Sequence, residues 1–200
     1  ALVYLFQWYA MNVFWQYLGL MCAAAYFGVD VHQEGYAETA AFNDASGFAT
    51  GLMVVYYISC TVVALFLARL SNKFGPKHVH TAALFLAAVC LFLLTHIGSS
   101  DNTTILYLPM IGIGVAWASI MGVPYVMATE MIRKERRGVY MGVINMMIVI
   151  PQLIQTLTFG SIYKHLLGDH PVNALLFVAV FLIIAGLLIE WIDTVKDADP

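Results

Sequence analysis

An all-α, polytopic membrane protein is predicted by three observations. Six long apolar stretches fill almost all of the 200 residues, and five short polar loops separate them. Hydrophobic residues make up 62% of the chain and charged ones 10%, with a mean hydropathy of +0.82; soluble domains carry about 25% charged residues. Strand-period alternation is absent, and in lipid only helices or closed barrels satisfy every backbone polar group. That composition excludes most soluble enzyme chemistry.

A hydrocarbon core about 30 Å thick takes roughly 20 helical residues at about 1.5 Å rise each. The first stretch, Leu2 to Phe27, exceeds that length; it is too long for a signal-peptide core and lacks a cleavage site. The second runs from Phe48 to Leu70, after the longest loop, Gly28 to Gly47. The third, Thr81 to Ile97, only reaches the lower limit for a span. The fourth, Ile105 to Met131, and the fifth, Val139 to Leu167, contain Pro124 and Pro151. Each proline removes one backbone bond, to Ile120 and to Met147, and such breaks either kink a helix or bend it around a cavity. The sixth, Val172 to Trp191, is uninterrupted. The chain starts at Ala1, already inside an apolar stretch, which points to a fragment. Cys22, Cys60 and Cys90 fall in separate stretches without C-x-x-C spacing and read as small packing residues. Gly47 with Gly51, and Gly138 with Gly142, have the spacing that lets helices approach closely, and Gly112, Gly114 and Gly122 cluster nearby.

Basic residues sort by loop. The second loop holds Arg69, Lys73 and Lys77, and the fourth holds Arg133, Lys134, Arg136 and Arg137. The first loop (Asp30, Glu34, Glu38, Asp44) and the third (Asp101) have no Lys or Arg, and the fifth has only Lys164. The positive-inside rule therefore puts the second and fourth loops, and with them both termini, in the cytoplasm. His32, Glu34 and Glu38 match no closed metal-ligand set, so no metal and no cofactor is expected.

Polar side chains inside the spans carry the functional signal. At about 100° per residue, Trp8, Asn12, Trp15 and Gly19 share one face of the first helix, with Gln16 beside them. An amide facing lipid is costly, so this stripe should face the bundle interior or an aqueous cavity. Indoles next to amides suit a sugar, whose C–H face packs on rings while its hydroxyls pair with amides. The competing reading makes Trp8 an interfacial anchor and Asn12 a helix–helix hydrogen bond. On the fifth helix, Asn145, Gln152, Gln155 and Thr156 group with Phe159 and Tyr163. On the fourth, Trp117, Met121, Pro124 and Ala128 share a side, with Ser119 and Tyr125 flanking. Glu130 and Glu190 sit near span ends and His96 at the outer end of the third, so no acid or base lies deep in a span. An ion-coupled carrier needs such a group, which would then lie elsewhere.

The stretch GIGVAWASIMGVPYVMATEM, a basic loop, and then RRGVYMGVINMMIVIPQ resemble the tenth and eleventh helices of sucrose-type sugar:cation symporters. Those carriers belong to the major facilitator superfamily, close to the glycoside–pentoside–hexuronide group. LFQWYAMNVFWQY resembles their seventh helix, and LSNKFGPKHV their cytoplasmic G-x-x-x-D-R-x-G-R-R loop, with Asn72 in the acid's place and Pro76 in an arginine's. The resemblance implies one half of a twelve-helix facilitator fold, helices seven to twelve in one six-helix bundle over 1–200. It further implies that the N-terminal half holds the coupling acid, and that Trp8, Asn12, Trp117, Asn145 and Gln152 line the sugar cavity. Trp15, Gln16 and Gln155 join that set from the stripes above.

The expected function is thus cation-coupled sugar symport by alternating access in the cell (inner) membrane. Its partners would be a sugar, H⁺ or Na⁺, the lipid bilayer and the absent N-terminal half, with no nucleic acid. A carrier-like sensor or assembly subunit is the alternative, and a different cargo keeps the carrier class. A membrane enzyme would need an acid–base or metal constellation, and the sequence offers none.

Overall fold

A computed structural model describes residues 2–98, 102–131 and 137–191, with the backbone alone at 128–131 and 137. Asp101, Arg133, Lys134 and Arg136 lie outside the described residues, as do the side chains of Glu130 and Arg137. Six long helices follow in order: α1 (Leu2–Tyr26), α2 (Ala40–Phe74), α3 (Pro76–His96), α4 (Tyr107–Met131), α5 (Arg137–His165) and α6 (Pro171–Glu190). Five of them are long and apolar enough to cross a membrane. The exception is α1, whose 25 residues suffice in length but include Gln7, Asn12 and Gln16.

Two helix starts differ from the sequence reading. Thr39 accepts a hydrogen bond from the Phe42 N–H and begins α2 at Ala40, so Asp44 and Gly47 lie on the helix and not in the loop. The Thr39 cap supplies the acceptor that an apolar-span criterion does not see. At the other end α2 runs on to Phe74, and Gly75 at φ +84° turns the chain sharply into Pro76, the first residue of α3. A non-glycine side chain rarely adopts that φ, and proline is preset for a first helical turn. α3 therefore spans 21 residues and is not the short helix expected. Both α4 and α5 run through their internal prolines.

Successive helices are antiparallel. One end of the bundle brings together Tyr26 and Leu94, whose hydroxyl–carbonyl bond is 2.6 Å, and the edge-on pair Phe48 and Tyr107. There His32 also lies 3.5 Å from the Asp169 carboxylate. The opposite end ties α3 to α6, where Thr81 donates to Glu190 at 2.8 Å and Lys77 stands 3.8 Å from the same carboxylate. Packing runs α1 on α6, α2 on α4, and α3 on both α4 and α6, while α5 rests mainly on α1. Phe14, Leu18, Met21, Leu52, Tyr56, Leu84 and Leu91 fill the centre, all of them buried.

Lipid tails are as apolar as leucine, so helix association in a bilayer depends on close van der Waals fit and on small residues. The glycines supply that fit unevenly. A Cβ on Gly112 would press into Cys90 Sγ of α3, one on Gly114 would meet the Tyr56 carbonyl of α2, and one on Gly122 would lie 2.6 Å from Leu67. α4 is thus the strut on which α2 and α3 both close. Gly51 packs against the Tyr107 hydroxyl. By contrast Gly47, Gly138 and Gly142 face open space, so their spacing makes no helix contact within this bundle. Cys22 and Cys90 are buried, Cys60 is half-buried, and all three are free thiols.

Candidate functional site

The α1 stripe meets α4 at an aromatic cluster. Trp117 packs edge-on against both Trp8 and Trp15, with ring centroids 5.4 and 5.0 Å away, and the two α1 indoles lie 6.5 Å apart. Tyr56 of α2 stacks on the far side of Trp117 at 6.4 Å. These edge-to-face arrangements follow the ring quadrupoles and hold each indole in a fixed attitude. Trp8 is 5% exposed, and its indole N–H has no hydrogen-bond partner. The Trp15 N–H and the Tyr56 hydroxyl approach each other without completing a bond of good geometry. A buried donor left unpaired costs about 1–3 kcal/mol, which a ligand hydroxyl would recover. Beside Trp15 a hollow of about 370 Å³ opens between α1 and α2, walled by Gly19, Ser46, Ala49, Thr50 and Met53. That volume lies within the roughly 300–1,000 Å³ range of small-molecule pockets.

Interleaved with these indoles along α1, Asn12 and Gln16 join α1 to α5 through Gln155. The Asn12 side-chain amide donates to Gln155 Oε1, which Gln16 Nε2 also approaches at 3.4 Å. In return Gln155 Nε2 donates to Gln16 Oε1 at 3.1 Å. Gln155 is buried, Asn12 half-buried and Gln16 exposed, so the network runs from the core to an open edge. Nearby, Tyr9 and Thr158 share a 2.9 Å hydroxyl bond, and Phe159 packs edge-on and Tyr163 tilted against Tyr17. The remaining α5 amides sit apart from this group. Asn145 is exposed and accepts from the Tyr125 hydroxyl of α4 at 3.0 Å. Gln152 is half-buried, between those two groups along α5. The structure therefore brings together Trp8, Trp15 and Trp117, and separately Asn12, Gln16 and Gln155.

Comparison with known proteins gives one match, to the Major Facilitator Superfamily over residues 1–199. The chain belongs to that superfamily. Neither a curated protein nor a solved structure matches it. Members of the superfamily are membrane transporters, and the all-helical fold is that of one half of the facilitator architecture.

Within this facilitator bundle a second polar group escaped the sequence reading. His80 is fully buried in α3; its Nδ1 is 2.8 Å from Ser119 Oγ of α4 and its Nε2 is 3.1 Å from Gln7 Oε1 of α1. An ionisable side chain does lie inside a helix core, contrary to the expectation that none would. The apolar-span criterion starts the third stretch at Thr81, five residues after α3 begins at Pro76, and so leaves His80 in the loop. The signal available was the coincidence of His80, Gln7 and Ser119, each a polar residue on an otherwise apolar helix face. His80→Leu would leave Ser119 and Gln7 unpaired, and the expected loss is about 1–2 kcal/mol. SDS unfolding followed by circular dichroism measures it; His96→Leu, on an exposed ring stacked over Phe92, should stay within about 0.5 kcal/mol of the parent.

Proposed function

We propose that this chain is the C-terminal half, helices seven to twelve, of a cation-coupled sugar symporter. The observation that carries the reading is the indole trio of Trp8, Trp15 and Trp117, with an unpaired buried N–H and three adjoining amides. Fixed ring faces suit the C–H surface of a pyranose, and the amides offer donors and acceptors to its hydroxyls. A side chain of fixed charge would favour an amino-acid cargo, and none borders the trio among the described residues. The α1–α5 amide network is the moving part in this reading, because α5 rests on little besides α1. Sugar competing for Asn12, Gln16 and Gln155 would loosen that contact and favour one facing state over the other.

The basic end of the bundle, with Arg69, Lys73 and Lys77, fits the cytoplasmic side, and the cell membrane fits the carrier class. H⁺ or Na⁺ coupling would enter through an acid in the N-terminal half. That half would lie against α2 and α5, whose large apolar side chains Tyr57, Leu65, Val139 and Met146 are exposed here. Gly138 and Gly142, open in this bundle, have the spacing to admit a further helix.

Uptake of radiolabelled sugars into proteoliposomes tests the reading. The chain joined to its N-terminal half should accumulate sugar under an H⁺ or Na⁺ gradient, and the chain alone should not. Transport by the chain alone would overturn the half-carrier proposal. Failure of the joined protein to move any sugar under either gradient would overturn the cargo.

A further inference from the structure

A second concavity lies on the opposite side of α4 from the indole cluster. Val115 and Ser119 face it, and both are about 160° around the helix from Trp117. α2 and α3 are consecutive but touch sparingly, since each closes on α4 through its own glycine contact. The gap between them is a groove of about 390 Å³. Leu67, Leu70 and Phe74 form one wall, Val79, Ala82 and Leu86 the other, and almost every lining atom is carbon.

Length and charge identify its occupant. From Val63 to Phe74 the α2 wall extends about 16 Å, close to one leaflet of a hydrocarbon core about 30 Å thick. The groove begins beside the Gly75 turn that joins α2 to α3 and ends near mid-bundle. It therefore has the dimensions of one acyl chain lying along the bilayer normal. Its mouth is basic: His78 lines it, and Lys73 lies 5.0 Å above the ring of Phe74, which forms its wall. Arg69 is exposed one turn further along α2. Between Asp44 and Asp101 the sequence has no acidic residue. Glu190 of α6 is shared by Thr81, Lys77 and His78, and among the described residues neither Lys73 nor Arg69 has a carboxylate partner.

We propose that this groove holds one chain of an anionic phospholipid, with the headgroup phosphate over Lys73, Arg69 and His78. The site depends on membrane insertion alone and not on the cargo of the indole cluster. A bound lipid would brace α2 against α3 where they lack direct contact.

Native mass spectrometry of the chain, released from nanodiscs of equal phosphatidylglycerol and phosphatidylcholine with identical acyl chains, reads the composition of retained lipid. Phosphatidylglycerol should be enriched over phosphatidylcholine. Lys73→Ala, a change at an exposed residue that loses only the contact with the Phe74 ring, should lower that enrichment about fivefold, the scale of one basic side chain at an anionic surface. Lys73→Arg should keep it. Ala82→Phe should remove retention of both lipids by filling the groove, and circular dichroism checks that it folds. Equal retention of the two lipids, or enrichment unaffected by Lys73→Ala combined with Arg69→Ala, would overturn the proposal. So would displacement of the lipid by millimolar inorganic phosphate, which would make this an anion site without an acyl-chain requirement.

Discussion

Gly114→Leu should cost this bundle about 3 kcal/mol, the upper end of the ordinary range for overpacking a tight interface. The reason is which atoms a side chain would meet. A Cβ at Gly114 presses into the Tyr56 carbonyl oxygen and lies 2.8 Å from Ser59 Cβ and 3.2 Å from the Cys60 nitrogen. Backbone cannot swing aside as a flexible side chain would, so α2 must move off α4 as a unit. Tyr56, fully buried and stacked on Trp117, would move with it. SDS unfolding gives the energy, and maleimide labelling of Cys60 gives the displacement, since that half-buried thiol borders the contact. Labelling should accelerate in Gly114→Leu. Gly142→Leu, whose Cβ meets nothing within 4 Å, should change stability by less than about 0.5 kcal/mol. Parent-like unfolding and labelling in Gly114→Leu would show that α4 is not the strut described above.

The contrast between those two glycines shows how far residue order reveals this fold. Hydropathy and length locate six helices because a bilayer demands long apolar runs and hydrogen-bonded backbone. Helix ends are less legible: the Thr39 cap and the Gly75–Pro76 turn lie among polar residues that hydropathy assigns to loops. Spacing singles out Gly47 with Gly51 and Gly138 with Gly142, yet of these only Gly51 makes a close contact, while Gly112, Gly114 and Gly122 carry most of the others. Four-residue spacing establishes only that two glycines share a face, and the tertiary arrangement decides what that face meets. The α1 stripe was legible because lipid penalises amides strongly, and Trp8, Asn12 and Trp15 do share a face. That Gln155 rather than Asn145 answers Asn12 was not, because pairing across helices depends on the relative rotation of α1 and α5.

Trp117→Ala should have the largest effect on ligand binding, a loss of tenfold or more, about 1.4 kcal/mol or greater. Trp117 is the ring that Trp8, Trp15 and Tyr56 all touch, so its removal takes away one sugar-packing face and the support of two others. Truncating a half-buried tryptophan also costs stability, up to about 3 kcal/mol, so a second substitution must separate the two losses. Trp8→Phe does so. It keeps a ring against Trp117 and deletes the indole N–H that finds no partner in the protein, together with part of the bicyclic ring's volume. If a sugar hydroxyl accepts from that N–H, Trp8→Phe should weaken binding by up to about tenfold, the net value of one buried hydrogen bond. The unfolding midpoint should meanwhile fall far less than in Trp117→Ala, because removing an unpaired buried donor offsets part of the small cavity left by the smaller ring. Equilibrium binding of radiolabelled sugar to the carrier joined to its N-terminal half, set beside the SDS midpoint of each variant, distinguishes the cases. Unchanged affinity in both variants would make the trio a packing motif between α1, α2 and α4, and the cargo site would have to be sought away from it.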